Sequence, residues 1–316
     1  MSTTVFDRFE ASAVTESAAD TALKLAARFW FLVAVIGQWI FVAYIAAVYG
    51  GGVLHGHLEE WNRYAPHRYI PGDTAGNIAI AMHLLLAIII IVGGPLQLIP
   101  QLRRLAPTFH RWNGRLYIPA VFVTSAAGLY LVWVRGTVGD LLQHIGVSLD
   151  AVLIMVFAVL ALRYALVRDL KTHRRWALRL FMVVNGVWFL RIGLMIWVVI
   201  NRGPAGFDPK TFTGPFLSFL SFANYLLPLA ILELYLRTQD RPGVGRRFAM
   251  AACLVVITLA MGVGILVATK VMWLPRITGT RKPVVERAVT QTPANRTAVQ
   301  RLGKLNAPDF VLWLEF

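Results

Sequence analysis

Cysteine is almost missing from this chain: Cys253 stands alone, inside an apolar run. A lone thiol excludes an intrachain disulfide and any cysteine-ligated metal cluster. A small buried apolar role suits it. Charge is also scarce, at 15% of residues, with 16 acids against 31 bases. No glycine-rich phosphate loop, no hydrolase nucleophile arrangement and no paired carboxylates spaced for acid–base work occur. A membrane enzyme acting on lipid would therefore have no recognisable nucleophile. The start of the chain is not expected to act as a cleavable signal peptide. The first apolar run is long enough to span, and follows a polar stretch holding Asp7, Glu10, Glu16 and Asp20, so it is expected to remain as an anchor.

What the chain has in quantity is hydrophobicity. Apolar residues make up 57% of it, and the mean hydropathy is +0.62. Runs of about 20 apolar residues, the length of a membrane crossing, recur along the chain. They predict an all-α polytopic transmembrane helix bundle of seven spans, near residues 27–50, 76–100, 114–136, 141–167, 175–201, 213–237 and 246–273. The organisation that follows is a cytoplasmic segment 1–26, a first span and outer loop 27–75, a four-helix core 76–201, two further spans within 202–275, and a basic tail 276–316.

A net charge of +15 would suit nucleic acid, but its placement points to the lipid bilayer as partner and to no nucleic acid. Arg103, Arg104, Arg111 and Arg115 lie between or beside spans two and three. Arg163, Arg168, Lys171, Arg174, Arg175 and Arg179 flank the next turn on that side, and Arg237, Arg241, Arg246 and Arg247 flank the last. The intervening connections are poor in Arg and Lys. This alternation places the N-terminus in the cytoplasm and the C-terminus outside. The tail, with Arg276, Arg281, Lys282, Arg287, Arg296, Arg301 and Lys304, is basic yet external in this scheme; long tails obey the charge rule weakly. It is expected to be mobile or to lie along the membrane surface.

Four histidines form a two-by-two pattern. His83 precedes His110 by 27 positions and His144 precedes His173 by 29, while corresponding members lie 61 and 63 apart. A separation of 27 to 29 residues is about one crossing plus its turn, at ~1.5 Å per helical residue. Each pair thus marks the two ends of a helical hairpin, and the hairpin is duplicated. His83 with His144, and His110 with His173, then share a depth. Neutral imidazole is the form that binds iron, and a helix N-terminus disfavours the imidazolium. The pattern allows two bis-histidine sites in a four-helix bundle, a setting known for cofactors. Arg111, Arg115 and Arg174 beside His110 and His173 suit haem propionates. The plainer readings are lipid-phosphate contact for His110 and His173, a loop edge for His144, and a buried hydrogen bond for His83. An ionisable side chain within a span is usually functional, which makes His83 the hardest to dismiss.

Asp150 and Arg191 are the other intramembrane charges. Their similar depth predicts an ion pair, since an unpaired charge there is costly; the pair either fixes packing or anchors a ligand. Glu233 is expected to pair with Arg237 one turn on. Gly262 and Gly264 are expected to allow close helix approach. The first outer loop, with His55, His57, Glu59, Glu60 and His67, is a solvated connection before it is a metal site.

His83, Gly94-Pro95-Leu96-Gln97, His110-Arg111-x-x-Gly114-Arg115-x-Tyr117, His173-Arg174-Arg175-Trp176-x-x-Arg179 and Arg191 together resemble the predicted bacterial membrane proteins grouped as domain of unknown function 2306. The resemblance covers about residues 76–200. It brings no established activity, and implies a bacterial inner-membrane location. More distantly, the layout is similar to cytochrome b561-type di-haem carriers, in which the second and fourth helices ligate one haem and the third and fifth the other. That likeness implies haem b on His83 with His144 and on His110 with His173 (metal ligands), and electron transfer with a quinone or small redox partner. It does not imply ascorbate, because the fuller carrier signature is absent. The alternative function is a non-redox transporter or accessory subunit with its site around Asp150 and Arg191.

Overall fold

The computed structural model describes residues 3–63, 68–241 and 243–279, with side chains from Thr15 onward. His67 and the basic tail beyond 279 lie outside the described residues. The described residues are largely helical, with no strand among them beyond an isolated bridge between Asp208 and Thr213. In order it comprises α1 (Thr3–His55), a 3-10 turn (Leu58–Arg63), α2 (Thr74–Leu98), α3 (Pro100–Leu105), α4 (Pro107–Tyr130) and a π-turn (Leu131–Gly136). Then come α5 (Leu141–Leu166), α6 (Leu170–Val184), α7 (Gly186–Asn201), α8 (Pro215–Asp240), α9 (Val244–Val267), a second π-turn (Ala268–Trp273) and α10 (Leu274–Ile277).

Local chemistry sets the helix starts. Asp73, Asp140 and Asp169 cap α2, α5 and α6 by accepting from the backbone N–H of Gly76, Gln143 and Thr172. Proline opens α3, α4 and α8, where its missing N–H costs no hydrogen bond. Pro95, Pro119 and Pro228 sit inside long helices, as membrane helices tolerate.

Six helices are long and apolar enough to cross a membrane, and α6 with α7 forms a bent pair, with 54° between them, that passes the same test together. The expected straight span 175–201 is therefore broken at Asn185, where an Asn-Gly step interrupts the helix. Whether this pair crosses follows from α1 and α9. Arg247 at the start of α9 binds Glu16 and Asp20 at 3.1 and 3.0 Å, and Arg276 in α10 donates to the Tyr44 hydroxyl at 2.9 Å. The first and last spans hence run parallel, pinned at both ends. With every other connection antiparallel, parallel ends require the bent pair to cross, which gives seven spans. The protein is an all-α, polytopic integral membrane protein.

The 1–26 segment is no separate unit. From Thr3 it is continuous with the first span in a helix of 53 residues, about 80 Å long at ~1.5 Å per residue, against a hydrocarbon core of ~30 Å. The α2–α4 and α5–α6 hairpins pack as the duplicated unit, with α4 against α5 and α2 against α6. Around it lie α1, α7, α8 and α9. Of Gly262 and Gly264 on α9, only Gly264 meets a neighbour: a Cβ there would stand 2.7 Å from the Ile192 side chain and 2.9 Å from its carbonyl oxygen, whereas Gly262 faces open space. Small-residue contact, which lets membrane helices approach, thus holds α9 to α7 at one position.

The arginine-rich turns gather at one end of the bundle, the basic end. There Glu233 is held by Arg179 in a two-pronged pair at 2.6 and 3.0 Å, rather than by Arg237 as expected. Arg179 also stacks on Trp176, and Arg175 pairs with Asp240. At the far end, Arg135 donates to the Arg68 carbonyl and to Asn77, both at 3.0 Å, and pairs with Asp73 at 3.4 Å. Burial pushes the Asp140 carboxyl up. Hydrogen bonds from the Gln143 N–H and the Ser218 hydroxyl outweigh it and hold the group below its usual range.

Candidate functional site

Three of the four histidines occupy the same local position. His110, His144 and His173 are each the fourth residue of their helix, and each makes its first i to i−4 hydrogen bond, to Ala106, Asp140 and Asp169. His83 stands deeper, in the tenth position of α2. The helix ends then sort them: α2 and α5 begin at the far end, α4 and α6 at the basic end.

At the far end a cavity of about 260 Å³ opens between the helices, and His83 and His144 both line it. The His83 ring lies against α4. Its Nδ1 donates to the Thr124 carbonyl at 3.1 Å, and a Cβ at Gly128 would stand 3.4 Å from its Cε1. A carbonyl only accepts, so Nδ1 carries the proton and Nε2, on the opposite edge, keeps its lone pair. His144 places Nε2 at 3.4 Å from the Thr137 hydroxyl and its ring edge-on to Trp133. Trp133 donates to Ser148, whose hydroxyl donates to the His144 carbonyl. The walls are mostly aliphatic, from Ile80, Leu84, Val121 and Ile154.

The same cavity carries Asp150, Arg191 and Arg68, so the two intramembrane charges do share a site. They do not form the expected ion pair. Arg191 donates to the Val187 carbonyl at 3.0 Å and lies 4.9 Å over the Phe41 ring, while Asp150 Oδ1 is buried without a hydrogen-bond partner.

At the basic end, His173 repeats the His83 arrangement: Nδ1 donates to the Ala161 carbonyl at 2.8 Å. The His110 carbonyl accepts from Gln97 at 3.0 Å. The neighbouring arginines spread outward. Arg111 bonds Thr108, and Arg115 stacks on the Trp112 ring at 5.0 Å. Arg174 faces an apolar groove of about 430 Å³ between α1, α6, α7, α8 and α9. Among the described residues no cluster of three or more His, Cys, Asp or Glu side chains is placed to hold a metal. In the loop after α1, His57 binds Glu59 at 3.1 Å.

Asn185 lines the same cavity, and Gly186 and Asn224 adjoin Asp150; the sequence analysis singles out none of the three. The Asn-Gly step, a turn signal inside an apolar span, was the legible clue to the first two. No curated protein and no solved structure matches this chain. Residues 80–214, the stretch holding all four histidines, Asp150 and Arg191, match the family described as "Predicted membrane protein (DUF2306)".

Proposed function

We propose that this protein is a haem-b electron carrier, with one bis-histidine site in each half of the membrane and the basic end in the bacterial cytoplasm. The supporting observation is that His83 and His144, from the first helices of the two hairpins, line one cavity. The Thr124 carbonyl leaves the His83 Nε2 free, the arrangement by which metal-binding histidines are oriented.

The donor set fits haem b: two imidazoles, aliphatic walls, and Arg68 and Arg191 as cations toward carboxylates. The volume, about 260 Å³, is just below the range of about 300–1,000 Å³ for ligand pockets. A macrocycle therefore enters only if wall side chains such as Leu84 and Leu131 change rotamer. When bound, the iron supplies one-electron chemistry; the chain orients its ligands, excludes water and balances charge. His110 and His173 form the second site, with His173 oriented by Ala161 as His83 is by Thr124. Arg111, Arg115 and Arg174 reach propionates there only by leaving their present positions. The apolar groove beside Arg174 suits the tail of a quinone partner.

A reduced-minus-oxidised spectrum of the purified protein tests the reading. A b-type band is expected, diminished in His83→Ala and His144→Ala and separately in His173→Ala. A colourless wild type, or full pigment in the variants, overturns it. The second reading, a non-redox transporter or accessory subunit, is favoured by the unpartnered Asp150 oxygen and predicts no pigment.

A further inference from the structure

At the break between α6 and α7, two buried side-chain oxygens, one on Asn185 and one on Asp150, have nothing to accept from. Asn185 donates its Nδ2 to the Phe181 carbonyl at 2.8 Å. Only an amide nitrogen can make that bond, so Oδ1 must point away from the helix, and it is buried without a partner. Asn224 is turned likewise, its Nδ2 donating to the Leu220 and Ser221 carbonyls at 2.9 and 2.8 Å. Its Oδ1 and Asp150 Oδ2 face each other over Gly186, 2.7 and 2.5 Å from where a Gly186 Cβ would stand. Asp150 Oδ1 is unpartnered too. Asp150, Asn185 and Asn224 are 7%, 3% and 6% exposed.

The result is a group of side-chain acceptors, two of them buried without a hydrogen-bond partner, beside the carbonyl-bearing C-terminus of a half-helix. Each part favours a small cation: oxygen ligands suit hard ions, a helix C-terminus is electronegative, and broken membrane helices coordinate Na⁺ or H⁺ in this way. We infer that Asp150, Asn185 and Asn224 form a monovalent-cation site, taken by Na⁺ or by a proton on Asp150. Gly186 keeps the space open, since any side chain there fills it. The inference stands on these oxygens alone and holds whether or not the histidines carry haem.

The test is thermal unfolding of the purified full chain in detergent, with NaCl or choline chloride at equal ionic strength, at acidic and alkaline pH. A Na⁺-specific rise in Tm at alkaline pH, lost in Asp150→Asn and in Gly186→Ala, identifies Na⁺. A Na⁺-independent rise in Tm on acidification, lost in Asp150→Asn, identifies the proton. His83, His144, Arg68, Arg191 and Tyr225 also face Asp150 or its cavity, so the comparison with Asp150→Asn isolates the one carboxyl. Wild type and Asp150→Asn responding equally to both ions overturns the proposal. Should the variants not fold, binding of radioactive sodium to the wild type, with and without competing acid, decides. Retention of sodium displaced by acid supports the site; no retention at either pH, with no stabilisation by acid, overturns it.

Discussion

The pair of Arg179 and Glu233 gives the sharpest test of how the basic end is built. The expectation from spacing alone was Glu233 with Arg237, one turn away on the same helix. The structure instead joins α6 to α8 through two short hydrogen bonds. The side chains are 18% and 36% exposed, so solvent screens the pair only in part. Exposed ion pairs contribute about 0.2–1 kcal/mol, and charge-assisted hydrogen bonds about 1.5–3 kcal/mol. A coupling of about 1–2 kcal/mol is expected for this partly buried, two-pronged case. Arg179→Ala alone also loses its stacking on Trp176, adding about 0.5–1 kcal/mol. The assay is a double-mutant cycle on Arg179→Ala and Glu233→Ala, read by unfolding in mixed micelles of increasing SDS content. A parallel cycle on Arg237→Ala and Glu233→Ala should be additive within about 0.3–0.5 kcal/mol. A coupling in the second cycle that equals or exceeds the first would refute the inter-helix pairing.

Other outcomes follow from the same structure. Asp140→Ala removes the α5 cap and its bond to Ser218, and should cost about 1 kcal/mol, within the range of cap losses, in the same unfolding assay. Because the folded Asp140 carboxyl lies below its usual range, its stabilisation is complete above the unfolded value of about 3.9 and fades as pH falls through the folded one. Acid unfolding curves of wild type and Asp140→Ala should therefore converge at low pH; a constant gap would contradict this. Gly264→Ala presses a methyl into Ile192 and should destabilise by about 1–3 kcal/mol, whereas Gly262→Ala should be neutral or slightly stabilising. Equal effects at the two glycines would mean that α7 and α9 do not meet there.

The helix count was legible because runs of apolar residues are set by bilayer thickness, a constraint written directly into composition. So was the duplicated hairpin, since the His-Arg strings after His110 and His173 mark equivalent helix starts. The cavity partners His83 and His144 were legible from depth alone. Depth, however, does not give the direction of a side chain around its helix axis. That is why Asp150 and Arg191, correctly placed at one level, were wrongly joined: Arg191 turns to Phe41 and Val187 instead. The same gap sent Glu233 to Arg237, because spacing along one helix is visible in sequence and a neighbour on another helix is not. Asn224 was invisible for a different reason. An isolated asparagine in an apolar helix gains meaning only when its nitrogen is seen to be occupied by its own backbone.

The shared direction of α1 and α9 reaches beyond packing. Residues 3 and 279 sit on opposite faces of the bilayer, so no linker can join the two ends without a further crossing. Circular permutation, open to many soluble folds, is closed to this architecture. Reporters fused ahead of α1 and behind α10 would light up in different compartments.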